Sequence, residues 1–212
     1  MIPMRSMLAF AGVAAILVAI PGPSVLFTIS RALTGGRRTA LWNVVGNELG
    51  LMVQVVAVAF GAGALIESSA HVFTVVKLIG AAYIVFLGVQ AIRHRRSLSE
   101  AVARGAGPMS PGRAIRDGAV VGATNPKTVA FFLIILPQFT RPAAGHLTLQ
   151  LLILGCVFPV VALAIDAVWA LAAGTLSQWL ARSPRRLAAI GGVGGLVMIG
   201  LGVSVAATGR RD

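Results

Sequence analysis

Glu48, Lys77, Lys127 and Asp166 stand inside long runs of apolar residues. At the centre of a membrane helix an ionisable group costs about 2.5 to 3.5 kcal/mol on insertion scales, so it faces a cavity or a partner. Two carboxyls and two ammonium groups at such positions are candidates for contact with a partner, water or a solute. Two helix-breaking clusters lie in the same apolar runs, Pro21-Gly22-Pro23-Ser24 and Thr124-Asn125-Pro126-Lys127. Proline removes a helical hydrogen bond and clashes one turn back, and the backbone it frees at membrane depth must meet protein or water. A plain proline kink explains a lone proline. The hydroxyl, amide and ammonium groups beside these two breaks favour a solute-binding site instead. Asn43, Asn47, Gly50 and Gln54 add a third feature, since steps of 4, 3 and 4 residues put them on one helix face. Gly155, Pro159, Ala162, Asp166 and Ala170 form a similar stripe. A helix packing seam accounts for the small residues in both stripes, but not for Asn43, Asn47, Glu48 and Asp166.

The elements that position these groups follow from composition. The chain has 212 residues, 57% hydrophobic and 11% charged, against about 25% charged in a soluble domain. A spanning helix needs about 20 apolar residues, and six runs qualify: 8 to 29, 40 to 63, 71 to 91, 117 to 138, 147 to 176 and 187 to 207. The first reads as a broken transmembrane helix that stays in the protein and not as a signal peptide, because Pro21-Gly22-Pro23 replaces a small-residue cleavage site and apolar residues resume at Val25. At 1.5 Å per residue, Glu48 lies about 15 Å from Arg38 and Lys127 about 16 Å from Arg116, both near mid-membrane, as is Asp166. Lys77 is two turns inside the outer end of its span and is expected to snorkel.

Lysine and arginine mark the cytoplasmic loops. Arg31, Arg37 and Arg38 follow the first span; Arg93, Arg95, Arg96, Arg104, Arg113 and Arg116 follow the third; Arg182, Arg185 and Arg186 follow the fifth. The opposite side has Arg5, Arg141, Arg210 and Arg211. Both termini are therefore expected outside and the basic loop inside. The net charge of +12 is then mainly a topological signal, and nucleic acid is not expected as a partner. The expected fold is an all-α integral membrane protein of six transmembrane helices, built as two inverted three-helix repeats, 1–92 and 116–212, joined by a flexible cytoplasmic connector over 93–115. An odd number of spans per half places homologous halves upside down to each other, a common transporter plan. The broken first helix of each half supports it, as do glycines eight apart in the last span of each half, Gly80 with Gly88 and Gly192 with Gly200.

Catalysis finds little support. His-Glu-x-x-His, Gly-x-x-x-x-Gly-Lys-Ser/Thr and Gly-x-Ser-x-Gly do not occur, and His71, His94 and His146 fall at span ends or loops. No span offers two metal ligands one turn apart, so neither metal nor cofactor is expected. Cys156, the single cysteine, reads as a packing residue.

Several segments, in this order and spacing, resemble the lysine-exporter type of amino-acid translocator, a family that includes homoserine, threonine and leucine exporters. They are Pro21-Gly22-Pro23; Gly35 to Leu41 with Gly46 and Gly50; Lys77 to Tyr83 with Leu87-Gly88; and Asn125-Pro126-Lys127 with Phe131-Phe132 and Pro137-Gln138-Phe139. The match spans nearly the whole chain, although Asn47-Glu48 is more polar than the family's usual second span and the last two spans are poorly diagnostic. The resemblance implies a small inner-membrane exporter of amino acids or close derivatives, driven by a proton or ion gradient. On this reading Pro21, Gly22, Pro23, Ser24, Asn43, Asn47, Asn125, Pro126 and Lys127 form the substrate site, with Lys127 and helix N-terminal amides meeting a carboxylate. Glu48 and Asp166 couple protons or bind the substrate ammonium. The expected coupling ion is the proton, and homo-oligomerisation is left open. A metal-ion exporter of similar architecture is the alternative; acidic or soft ligands beyond Glu48 and Asp166 are too scarce to favour it.

Overall fold

The computed structural model describes residues 2–68, 70–94, 109–176, 179 and 183–207, and all regular elements among them are helical. Helix α1 runs Met4–Ala19, α2 Pro23–Ser68, α3 Ala70–Arg93, α4 Pro111–Ala123, α5 Pro126–Ile134, α6 Leu147–Thr175 and α7 Pro184–Ala207. Two short 3-10 turns, Leu136–Phe139 and Pro142–Ala144, lie between α5 and α6.

Each expected span has a helical counterpart, with one revision. The polar stretch between the first two spans was expected to be a loop, yet α2 runs through it with a single non-helical residue, Gly36, at φ 81 and ψ 172. Only glycine takes such a positive φ at little cost, so one residue turns the chain while Arg37 and Arg38 remain helical. The basic connector lies largely outside the described residues, as does the Lys77 side chain.

Both expected breaks are present, and the rule that residues before proline avoid the helical region explains where they fall. Ile20, before Pro21, takes φ −76 and ψ 117 and ends α1. Asn125, before Pro126, takes φ −67 and ψ 109 and separates α4 from α5, which bend by 46°. Among the described residues, Pro23–Gly61 and Leu147–Thr175 are long and apolar enough to cross a membrane, and the bent pair Pro111–Ala123 with Pro126–Phe139 makes a third crossing if it is one span. Large apolar side chains such as Ile16, Leu49, Val53, Phe60, Val160 and Leu196 point outward, the surface a lipid environment accepts and water does not. The molecule is a multi-pass membrane protein.

Helix α2 packs on α4 and α6, α3 packs on α7, and α1 leans mainly on α6. Contact between α2 and α4 is backbone to backbone. A Cβ at Gly46 or Gly50 would collide with the Ile115 or Ala119 carbonyl, and one at Gly118 or Gly122 with that of Asn43 or Asn47. The packing-seam explanation therefore holds for Gly50 of the α2 stripe and for neighbouring Gly46, and this close approach sets Gln54 of the stripe against the second break. The whole α6 stripe, Gly155 to Ala170, is buried. Of the glycines spaced eight apart, Gly88 packs against Gly195, but Gly200 meets nothing within 4 Å; Gly195 and Gly202 are the residues of α7 that pack closely on α3.

Candidate functional site

A small cavity lies between the two helix breaks. It is lined by Leu17, Val18, Ser24, Val25, Asn47, Leu51, Asn125, Lys127, Thr128, Phe158, Ala162 and Asp166. Its volume is ≈ 20 Å³, where one water needs roughly 10–15 Å³ on the same measure. It has room for one water and not for an amino acid.

The first break creates a specific defect. In a continuous helix the Leu17 carbonyl would accept from the N–H four residues on, but that residue is Pro21, which has none. The Lys127 ammonium fills the gap, donating to the Leu17 and Ile20 carbonyls at 2.7 Å each. Lys127 is 4% exposed, and its stem passes over Gly22, where an added Cβ would come within 2.8 Å of Lys127 Cδ. The lysine expected to face a substrate thus already commits two of its three N–H groups to the protein.

The second break has the same defect and another repair. The Gly122 carbonyl lies four residues before Pro126, and Gln54 Nε2 donates to it at 2.7 Å and to the Ala123 and Asn125 carbonyls at 3.1 Å each. Asn125 caps α5, its Oδ1 accepting from Lys127 N at 3.1 Å, with Pro126 at the first helical position where its missing N–H does no harm. Asn125 Nδ2 also donates to Ser24 Oγ at 3.1 Å, which links the breaks directly.

The acids form the other wall. Asn47 Nδ2 donates to Glu48 Oε1 at 3.2 Å and to Asp166 Oδ2 at 3.4 Å, joining the two carboxyls through one amide. Glu48 is 8% and Asp166 2% exposed. Glu48 Oε2, Asp166 Oδ1 and Asn47 Oδ1 are buried without a hydrogen-bond partner. A buried acceptor without a donor costs about 1–3 kcal/mol. Among the described residues the ion pairs are Arg31 with Asp117 and Arg116 with Asp117, each at 3.2 Å. Lys127 and Asp166 share the cavity without direct pairing.

Of the residues expected at the site, Ser24, Asn47, Asn125, Lys127 and Asp166 line the cavity, and Glu48 joins through Asn47. Pro21, Gly22, Pro23 and Pro126 shape the backbone and do not line it. Asn43 donates to Thr28 Oγ1 at 3.0 Å, a contact between the two arms of α2, and does not line it either. Sequence reading missed Gln54 as a member of the site, although it stands on the same stripe as Asn47, as well as Thr128 and Phe158. Phe158 belongs to an aromatic cluster with Phe131 and Phe132 at ring distances of 5.1 and 4.9 Å, and Phe10 packs on Phe131 at 5.7 Å. This cluster closes the side towards α5. Arg31 and Asp117 tie α2 to α4 and have no sequence signal beyond their opposite charge. Among the described residues no group of three or more His, Cys, Asp or Glu side chains gathers as a metal site.

The chain is similar to known membrane proteins over most of its length. An uncharacterized membrane protein of Vibrio cholerae is 33% identical over 190 residues, 88% of this chain and 89% of the relative. A homoserine/homoserine lactone efflux protein of Salmonella typhimurium is 31% identical over 170 residues, 80% of this chain and 81% of the relative. An uncharacterized membrane protein of Bacillus subtilis is 31% identical over 166 residues, 75% of this chain and 79% of the relative. No solved structure matches significantly. The pattern of the LysE type translocators matches residues 15–209, and the chain belongs to that family.

Proposed function

We propose that the chain is a secondary active exporter of amino acids or close derivatives across the cytoplasmic membrane, driven by the proton gradient. The observation that carries this reading is one cavity lined by both the Lys127 ammonium and the Asp166 carboxyl, with Glu48 joined to Asp166 through Asn47. A zwitterion fits that polarity, its carboxylate towards Lys127, Asn125 and Ser24 and its ammonium towards Asp166 and Glu48. The Salmonella relative named for homoserine and homoserine lactone efflux supports a solute of this size and class.

Two carboxyls face one ammonium, so full ionisation leaves one negative charge unbalanced in a medium where that is costly. A proton taken up by Glu48 or Asp166 restores neutrality, and its release on the other side couples the gradient to export. The cavity must open alternately to each side. Six helices in two inverted triplets, 1–92 and 116–212, provide that motion; both termini lie outside, and the basic connector lies in the cytoplasm. The chemistry proposed is translocation and not catalysis.

Overproduction in cells should raise tolerance to one or more members of a panel of amino acids, homoserine and dipeptides and lower their internal concentration. Unchanged tolerance and unchanged internal pools across the whole panel contradict the reading.

A further inference from the structure

The geometry points to a monovalent-cation site at the first helix break, filled in this protein by its own lysine. The Leu17 and Ile20 carbonyls converge on one point, each 2.7 Å from Lys127 Nζ. They stand at the C-terminal end of a half-helix, where the helix dipole is negative. Asp166 lines the same cavity with Oδ1 buried and unpartnered. Unwound backbone carbonyls and half-helix C-terminal ends hold the coupling cation in broken-helix transporters, and Asp166 adds a negative charge to the same cavity without touching the ammonium.

Here the cation is covalently tethered and arrives from a residue more than 100 positions away in the chain. Gly22 makes room for it, since a Cβ there meets Lys127 Cδ at 2.8 Å and Nζ at 3.2 Å. Lys127 supplies permanently what sodium or another small cation would supply reversibly, so the protein needs no free alkali cation to hold its first break together. Taken with the proposed function, on which this one point rests, the tethered charge also stays in place for a substrate carboxylate through its third N–H.

The test uses thermal unfolding of the purified full-length protein in methylammonium, sodium or choline chloride at equal ionic strength. The unsubstituted protein should unfold at the same temperature in all three. Lys127→Ala should unfold several degrees lower in choline and regain most of that loss in methylammonium, because a ligand binding only the folded state stabilises it in proportion to log concentration. Choline is too bulky to occupy the point. Gly22→Ala, which displaces the lysine without removing it, should behave alike with a smaller deficit.

Equal responses of Lys127→Ala and the unsubstituted protein overturn the inference. So does failure of both variants to fold when prepared in methylammonium throughout. Unfolding needs no substrate, so absent export would refute the proposed function and leave the cation site standing.

Discussion

The two helix breaks begin from one defect and are repaired in different ways. Leu17 and Gly122 each lose their helical donor to a proline four residues on. At the second break the substitute is the neutral amide of Gln54, from a helix joined to α4 along the glycine seam, and Asn125 caps the helix that follows. At the first the substitute is a charge, Lys127, reaching over from α5, and Ile20 brings no side-chain cap of its own. Amide bonds do not depend on ionisation or on competing ions, whereas an ammonium can be displaced, neutralised or drawn towards another anion. The second break is thus held by neutral groups, and the first by a charge tethered to another helix.

Lys127→Ala should have the largest effect. It removes the ammonium from the Leu17 and Ile20 carbonyls and the lysine from the cavity that Asp166 also lines, a loss of about 1.5–3 kcal/mol for each hydrogen bond to a charged group, and export should cease. Lys127→Arg should also transport poorly, because a planar guanidinium does not fit where a compact ammonium lies against Gly22. Flux of labelled solute, read beside membrane expression, checks both.

Gln54→Leu should rank next, destabilising by about 1–3 kcal/mol through three carbonyls left without that donor. Its unfolding temperature should not respond to methylammonium, and a response there would erase the distinction between the breaks. Asn125→Ala should cost about 1 kcal/mol for a lost cap and weaken the link to Ser24, which thermal unfolding and substrate affinity would reveal separately. Arg31→Ala should be mildest in stability, about 0–1 kcal/mol, because Arg31 and Asp117 side chains keep 16% and 21% exposure. Salt should screen that pair further, so the variant's stability difference should shrink in concentrated salt.

Much of the fold was legible because the bilayer writes plainly: runs of apolar residues, prolines within them, and arginines between them. Both breaks were placed from Pro21, Pro23 and Pro126 alone. The tight turn at Gly36 was not, since Arg31, Arg37 and Arg38 read as a loop and only backbone geometry shows that one glycine suffices to turn. At the site, burial cost identified Glu48, Lys127 and Asp166, but not what they touch. Which carbonyls Lys127 meets depends on how α1 ends against α5, a contact across more than 100 residues. Gln54 stands on the same stripe without standing out, because an amide carries no charge whose burial demands a reason; what it serves are three carbonyls around the second break.

On the proposed reading, the opposite charges at this cavity move an amino-acid-like solute against its gradient. Proteoliposomes containing the purified protein test it most directly, with labelled homoserine, an imposed pH gradient, and the Glu48→Gln and Asp166→Asn variants alongside. The account predicts uphill transport by the unsubstituted protein. If either acid carries the coupled proton, its amide variant should lose uphill transport but retain downhill exchange, which needs binding without proton movement. If the acids merely balance Lys127, each amide variant should instead be poorly expressed, and removing Lys127 as well should restore it. Undiminished gradient-driven transport in both amide variants would contradict the role given to the carboxyls, and no protein-dependent flux of homoserine or any amino acid would contradict the account itself.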